Sequence, residues 1–141
     1  MPTFADTSAL YGLLNRNDRH HLAAAEVGRL LIQERERLWT IDAVAVELWR
    51  LLREEFGRRT ADQLLRGLVV RGLTVEASAR EDYAWAWQIA VEWPDQDFAL
   101  ADRLAFAALE RLRSYRAWSY DADFAVIRLG PARNRALDLR L

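Results

Sequence analysis

The chain has 141 residues, enough to bury a real core in one domain of ordinary size, with 52% hydrophobic and 29% charged residues and a net charge of −1. That balance excludes a disordered chain and any whole-protein field pulling it toward nucleic acid, so phosphate binding must be local. Cysteine is absent and all 20 basic residues are arginine, which removes disulfides, thiolate zinc sites, cysteine nucleophiles, lysine Schiff bases and the lysine of a phosphate-binding loop.

No apolar run approaches the ~20 residues of a membrane span. The start, Met1-Pro2-Thr3-Phe4-Ala5-Asp6, lacks the basic and long apolar regions of a signal peptide, so a cytoplasmic location is expected. The short apolar run Thr3-Phe4-Ala5 stops on Asp6 and turns into a helix over Thr7 to Leu14, marked by Ala9, Leu10, Leu13 and Leu14. A second helix is expected over His20 to Glu34. Leu38-Trp39-Thr40-Ile41 reads as a buried parallel strand, and Asp42 caps the helix it feeds, which runs to about Phe56 and closes at Gly57. A further helix covers roughly Thr60 to Val69, followed after Gly72 by the strand Leu73-Thr74-Val75. Ala77 to Trp93 is helical until Pro94-Asp95-Gln96-Asp97 breaks it.

The next helix spans Leu100 to Leu112. Arg116-Ala117-Trp118-Ser119-Tyr120 is a fourth strand and Val126-Ile127-Arg128-Leu129 a candidate fifth, ending at Gly130-Pro131. Residues 131–141 form an arginine-rich, loosely specified tail. Strands alternating with helices predict an α/β fold: one domain over 1–141, with a mainly parallel central sheet of four to five strands and helices on both faces.

Carboxylates recur at equivalent places. Asp6 follows the first strand, where open α/β sheets keep their sites, although an N-cap role accounts for it equally well. Glu47 lies within Ala43-Val44-Ala45-Val46-Glu47-Leu48-Trp49, on the edge of an apolar face, where a buried charge requires a partner. Arg50 or Arg53 could be that partner, or a cation could. Asp102 falls in the first turn of its helix, where the macrodipole alone favours an acid. Asp121 and Asp123 follow the fourth strand, where turn and cap roles are common. Together, Asp6, Glu47, Asp102 and Asp121 map to one edge of a parallel sheet. Converging carboxylates repel one another, and a hard divalent cation such as Mg²⁺ or Mn²⁺ is the usual means of holding them.

These residues resemble the PIN-domain ribonucleases, in particular the VapC toxins of bacterial toxin–antitoxin pairs. The segments that carry the resemblance are Phe4 to Leu10, Asp18-Arg19-His20-His21 with Ala24-Ala25, Val46-Glu47, Asp97 to Asp102, and Ser119 to Phe124, in that order and reaching to about Gly130. The resemblance implies a three-layer PIN-like domain and an acidic quartet of Asp6, Glu47, Asp102 and Asp121. It also implies Mg²⁺ or Mn²⁺ on Asp6, Asp102, Asp121 and Asp123, steadied by hydrogen bonds from Thr7 or Ser8. Its activity would be metal-assisted endonucleolytic hydrolysis of RNA, and its partners an RNA substrate, a VapB-like antitoxin and a second copy of the chain. Ser119-Tyr120 departs from the family's more usual threonine or aromatic pair.

Arg16, Arg19, Arg50, Arg53 and Arg103 lie near the motif residues in sequence and are candidates for RNA contact. His20 and His21 read either as RNA or metal contacts or as loop residues bonded to nearby backbone. Of the six tryptophans, for which core packing is the default, Trp85 and Trp87 are separated by about 200° on a helix, so both cannot face the same core and one is a candidate for an interface. A haloacid-dehalogenase-type phosphatase, suggested by Asp121-Ala122-Asp123, and a response-regulator receiver both need a lysine that is absent. The alternative from another class is a catalytically degenerate PIN fold serving as an RNA- or protein-binding module.

Overall fold

The computed structural model describes residues 2–141. Strands β1 (Thr3–Ala5), β2 (Leu38–Ile41), β3 (Thr74–Glu76), β4 (Arg116–Trp118) and β5 (Asp138–Arg140) form one five-stranded sheet in the order β3-β2-β1-β4-β5, with every neighbouring pair parallel. Between them run α1 (Thr7–Leu14), α2 (His21–Gln33), α3 (Asp42–Phe56), α4 (Arg58–Val70), α5 (Arg80–Glu92), α6 (Leu100–Arg111) and α7 (Ala122–Val126).

Strand periodicity divides the core into two halves. Phe4 and Ala117 point into one apolar cluster with Ala86 and Ile89 of α5 and the buried face of α6. Their neighbours Ala5 and Trp118 point into the other, with residues of α1, α2, α3 and α4. The result is three layers, with the sheet between helices. In the first half, Phe124 lies parallel to Phe4 at 6.0 Å and edge-on to Phe106 at 5.0 Å, which seats α7 against β1 and α6. α3 and α4 are joined only by Gly57, whose φ of 87° lets one helix end and the next begin without a connecting loop.

The fifth strand is not at Val126–Leu129. Asp121 caps α7 by accepting the N–H of Asp123, and Phe124 and Ile127, three residues apart, are both fully buried, so that stretch is spent on a helix and its exit. Leu129 makes an antiparallel bridge to Arg135 around a turn at Gly130, whose φ is 84°. Strand β5 comes instead from the stretch expected to be a loose tail. It is a polar edge strand fastened by charge: Asp138 pairs with Arg116 at 3.0 Å and Arg140 with Glu34 at 3.2 Å. α5 also starts later than Ala77, because Ser78 donates its N–H and hydroxyl to Asp42, and the N–H of Ala79 goes to Asp82. Asp82 is itself buried and gripped by Arg111 through two hydrogen bonds of 2.9 and 3.1 Å, locking α5 to α6.

Trp85 packs against the core beneath Arg133, and Trp87 stands exposed on the opposite side of α5. Among the described residues, no helix is long and apolar enough to cross a membrane.

Candidate active site

β2 and β3 lie on one side of β1, while β4 and β5 lie on the other, so strand order reverses between β1 and β4. Ligands of open parallel sheets bind at the carboxyl ends of strands at such a reversal. Ala5 faces Trp118 in the β1–β4 register, and the next residues, Asp6 and Ser119, leave the sheet side by side.

Asp6 occupies the N-cap position of α1, but its side chain caps nothing. Its Oδ2 accepts the hydroxyl of Ser119 at 2.8 Å and that of Ser8 at 3.1 Å. Ser119 Oγ in turn accepts the N–H of Asp121 at 3.1 Å, and Ser8 Oγ accepts the N–H of Tyr120 at 2.9 Å. Two hydroxyls thus fix Asp6 and stitch the start of α1 to the turn after β4. Ser8 supplies the hydrogen bond expected of that region. The hydroxyl of Thr7 is buried without a partner.

Asp102, in the first turn of α6, faces the same point. One carboxylate oxygen from each of Asp102, Asp121 and Asp123 lies within 4.8 Å of the others. Burial pushes the Asp102 carboxyl up to about 8, and the charges of Asp6, Asp121, Glu47 and Asp123 push in the same direction. Asp102 thus feels the charge of four other acids, and the five come from four separate helices or their N-termini. Asp6 is pushed up to about 6, chiefly by burial, with the hydroxyls of Ser119 and Ser8 and the backbone N–H of Thr7 opposing the rise. Asp123 is also raised, by burial and then by Asp121 and Asp97.

Glu47 reaches this focus from α3 and is not engaged by the arginines beside it. Arg50 pairs with Glu54 at 2.7 Å, and Arg53 lies over the ring of Trp49. Among the described residues, no ion pair includes Asp6, Glu47, Asp102, Asp121 or Asp123. A set of carboxylate oxygens without an arginine to answer it suits a hard divalent cation, and the nitrogen and sulfur ligands preferred by softer metals are missing from it.

The arginines proposed for RNA contact are dispersed. Arg19 borders the cleft beside Asp121, donating its Nε–H to His20 Nε2 at 3.1 Å, whereas Arg16 is exposed on the α1–α2 connection and Arg50 on α3. Arg103 donates to the carbonyls of Phe98 and Ala86 and lies over Trp87, tying α6 to α5. His21 Nδ1 meets the carbonyl of Gly12 at 2.8 Å, the loop role. His20 stacks on Tyr120, with ring centroids 4.6 Å apart.

The sequence marks Ser119 only as a departure from the family pattern and gives it no role in the site. Its signal was its position, two residues before Asp121 at the end of a strand, but only the β1–β4 register puts it beside Asp6.

No family model and no curated protein matches this chain. Solved structures do. The chain is similar to the crystal structure of Mycobacterium tuberculosis VapC20, a sarcin–ricin loop cleaving toxin, with 25% identity, a TM-score of 0.77, and coverage of 88% of this chain and 93% of that one. It is also similar in fold to a chain of VapBC2 from Rickettsia felis bound to a DNA fragment from their promoter, with 12% identity, a TM-score of 0.71, and coverage of 99% and 97%.

Proposed function

We propose, for a chain that is a PIN-domain protein of the VapC toxin type, the activity of a metal-dependent endoribonuclease. The observation that carries this reading is the meeting of Asp102, Asp121 and Asp123 oxygens within 4.8 Å of one another at the reversal between β1 and β4, where the charges of Asp6 and Glu47 also bear on Asp102.

Asp102, Asp121 and Asp123 are the residues that would hold the cation, Mg²⁺ or Mn²⁺, with Asp6 and Glu47 completing the set. A divalent ion there supplies charge neutralisation for a phosphodiester and a lowered pKa for its water. Ser119 and Ser8 keep the Asp6 carboxylate aimed at that point and absorb two of its lone pairs. The buried positions of Asp6 and Asp102 strengthen every interaction of charge at the site. The reaction uses water as the attacking group and needs no protein nucleophile, consistent with a chain that offers neither cysteine nor lysine. A degenerate binding module would be the better reading had one of the acids been absent.

An apolar groove of about 720 Å³ between α1, α2 and α4, with Leu13, Leu14, Ile32 and Leu68 on its walls, is the surface we assign to a VapB-like antitoxin. Tyr83, Trp87 and Val91 make an exposed apolar stripe at helical spacing on α5, which suits contact with a second copy. The sheet draws strands from both ends of the chain, which supports reading it as one domain; the cytoplasm is the compartment that supplies RNA.

The test is cleavage of a sarcin–ricin loop hairpin, the RNA that the M. tuberculosis relative cuts, and of total RNA, by purified protein with Mg²⁺ or Mn²⁺. Cleavage that needs the metal and is lost in Asp102→Asn and Glu47→Gln is expected. Cleavage that persists in chelator and in both variants would overturn the assignment.

A further inference from the structure

Next to the acidic focus is a cleft of about 460 Å³, bordered by Thr7, Asp18, Arg19, His20, Tyr120 and Asp121. Its volume lies in the range of small-molecule sites, about 300–1,000 Å³. We propose that this cleft is a nucleobase subsite, which holds the base of a nucleotide flanking the scissile phosphate and so gives the enzyme a base preference. The proposal rests on the nuclease reading above.

Three features of the cleft point to a base. The first is the pair of stacked rings: His20 and Tyr120 border the cleft with centroids 4.6 Å apart and planes inclined by only 7°, an aromatic stack in its wall that a base would extend. Proteins that read single-stranded RNA stack its splayed bases on aromatic side chains. Arg19 extends this wall with a cationic group whose Nε–H is bonded to His20 Nε2.

The second is Asp18, which borders the cleft: its Oδ2 takes the N–H of His20 at 3.0 Å, leaving the other oxygen as an acceptor for an exocyclic amine.

The third is continuity. Asp121 belongs to both the cleft and the carboxylate cluster, so a phosphate drawn to a cation at Asp102, Asp121 and Asp123 has its neighbouring base within reach of the cleft. Tyr120 is fixed there from two sides, its N–H by Ser8 and its hydroxyl by the indole N–H of Trp118 at 3.2 Å.

The probes are the four ribonucleoside 5′-monophosphates and ribose 5-phosphate, titrated calorimetrically into the full chain with Mn²⁺ present, alongside the effect of Mn²⁺ alone on melting. At least one monophosphate is expected to bind about tenfold tighter than ribose 5-phosphate, a low-end value for base stacking on an aromatic face. Tyr120→Leu should erase most of that ratio and Tyr120→Phe retain it. Asp18→Asn, which keeps an acceptor for the His20 N–H but turns the other oxygen into a donor, should change which base is preferred. Equal binding of ribose 5-phosphate and all four monophosphates, with Mn²⁺ still raising the melting temperature, would overturn the subsite and leave the nuclease reading standing. So would a base preference unchanged in both Tyr120→Leu and Asp18→Asn. Melting indifferent to Mn²⁺ would instead remove the nuclease reading, and the subsite with it.

Discussion

Ser119 donates its hydroxyl to Asp6 Oδ2 over 2.8 Å, across a separation of 113 residues in sequence. This bond joins the ends of β1 and β4 and orients the most buried carboxylate of the site. Ser119→Ala should therefore weaken Mn²⁺ binding by about tenfold, the low end for losing a group that orients a metal ligand, with little change in fold. Isothermal titration of Mn²⁺ into both proteins checks this. Ser119→Thr, which keeps the hydroxyl, should restore most of the affinity.

The raised carboxyl groups of Asp6 and Asp102 give the metal-free protein a characteristic dependence on pH. A carboxyl whose folded pKa lies above its unfolded value favours folding while protonated, and that contribution is fully present below the unfolded pKa of 3.8. It is lost as pH rises through about 6 for Asp6 and about 8 for Asp102. In chelator, Asp102→Asn should consequently melt higher than wild type near about pH 8, by on the order of 2 kcal/mol, and converge with it near about pH 4. Urea unfolding at a series of pH values measures the gap. The coupled acids titrate as a group, so the readout is the whole curve rather than one midpoint.

Removing Arg111 tests packing without touching the site. Asp82 is only 1% exposed and, besides the Ala79 N–H, takes two charge-assisted bonds from the Arg111 guanidinium. Arg111→Ala strands that charge and should cost about 3 kcal/mol, in the range for breaking a buried ion pair from one side. The shift in urea midpoint reads the loss. Mn²⁺ affinity in the folded variant should be unchanged, because none of the five site acids is involved.

The groove assigned to the antitoxin makes its own prediction. Ile32 is 81% exposed on its rim, so a charge there costs the fold little. Ile32→Glu should reduce capture of a co-expressed VapB-like antitoxin by about tenfold, a typical effect of losing one interface anchor, while RNA cleavage by the free protein persists. Unaltered capture would move the antitoxin to another face.

Much of the fold was legible because its elements announce themselves locally. Phe4-Ala5 stops on Asp6, Trp39-Thr40-Ile41 runs into Asp42, and Ala117-Trp118 precedes Asp121, which is the pattern of strands feeding helices. The acids of the site were visible as interruptions of apolar stretches. What could not be read was register and long-range charge. Ser119 matters only because Ala5 pairs with Trp118. β5 contains one apolar residue among three, and its place in the sheet depends on Arg116 and Glu34, far away in sequence. Conversely, Val126 to Leu129 looks extended in isolation, yet the cap at Asp121 and the burial of Phe124 and Ile127 draw it into α7 and its exit.

The most direct test of a cation held by the converged carboxylates is the melting temperature of the partner-free protein against Mn²⁺ concentration, for wild type and Asp102→Asn. A ligand bound only by the folded state adds about 2.7 kcal/mol of stability at a hundredfold excess over its dissociation constant. Wild type should rise steadily with Mn²⁺ from a low metal-free baseline. At about pH 8, Asp102→Asn should start higher, relieved of the cost of ionising a buried acid, and rise far less. Two parallel curves, flat in Mn²⁺, would contradict the account and leave five acids at a sheet edge without a cation to explain them.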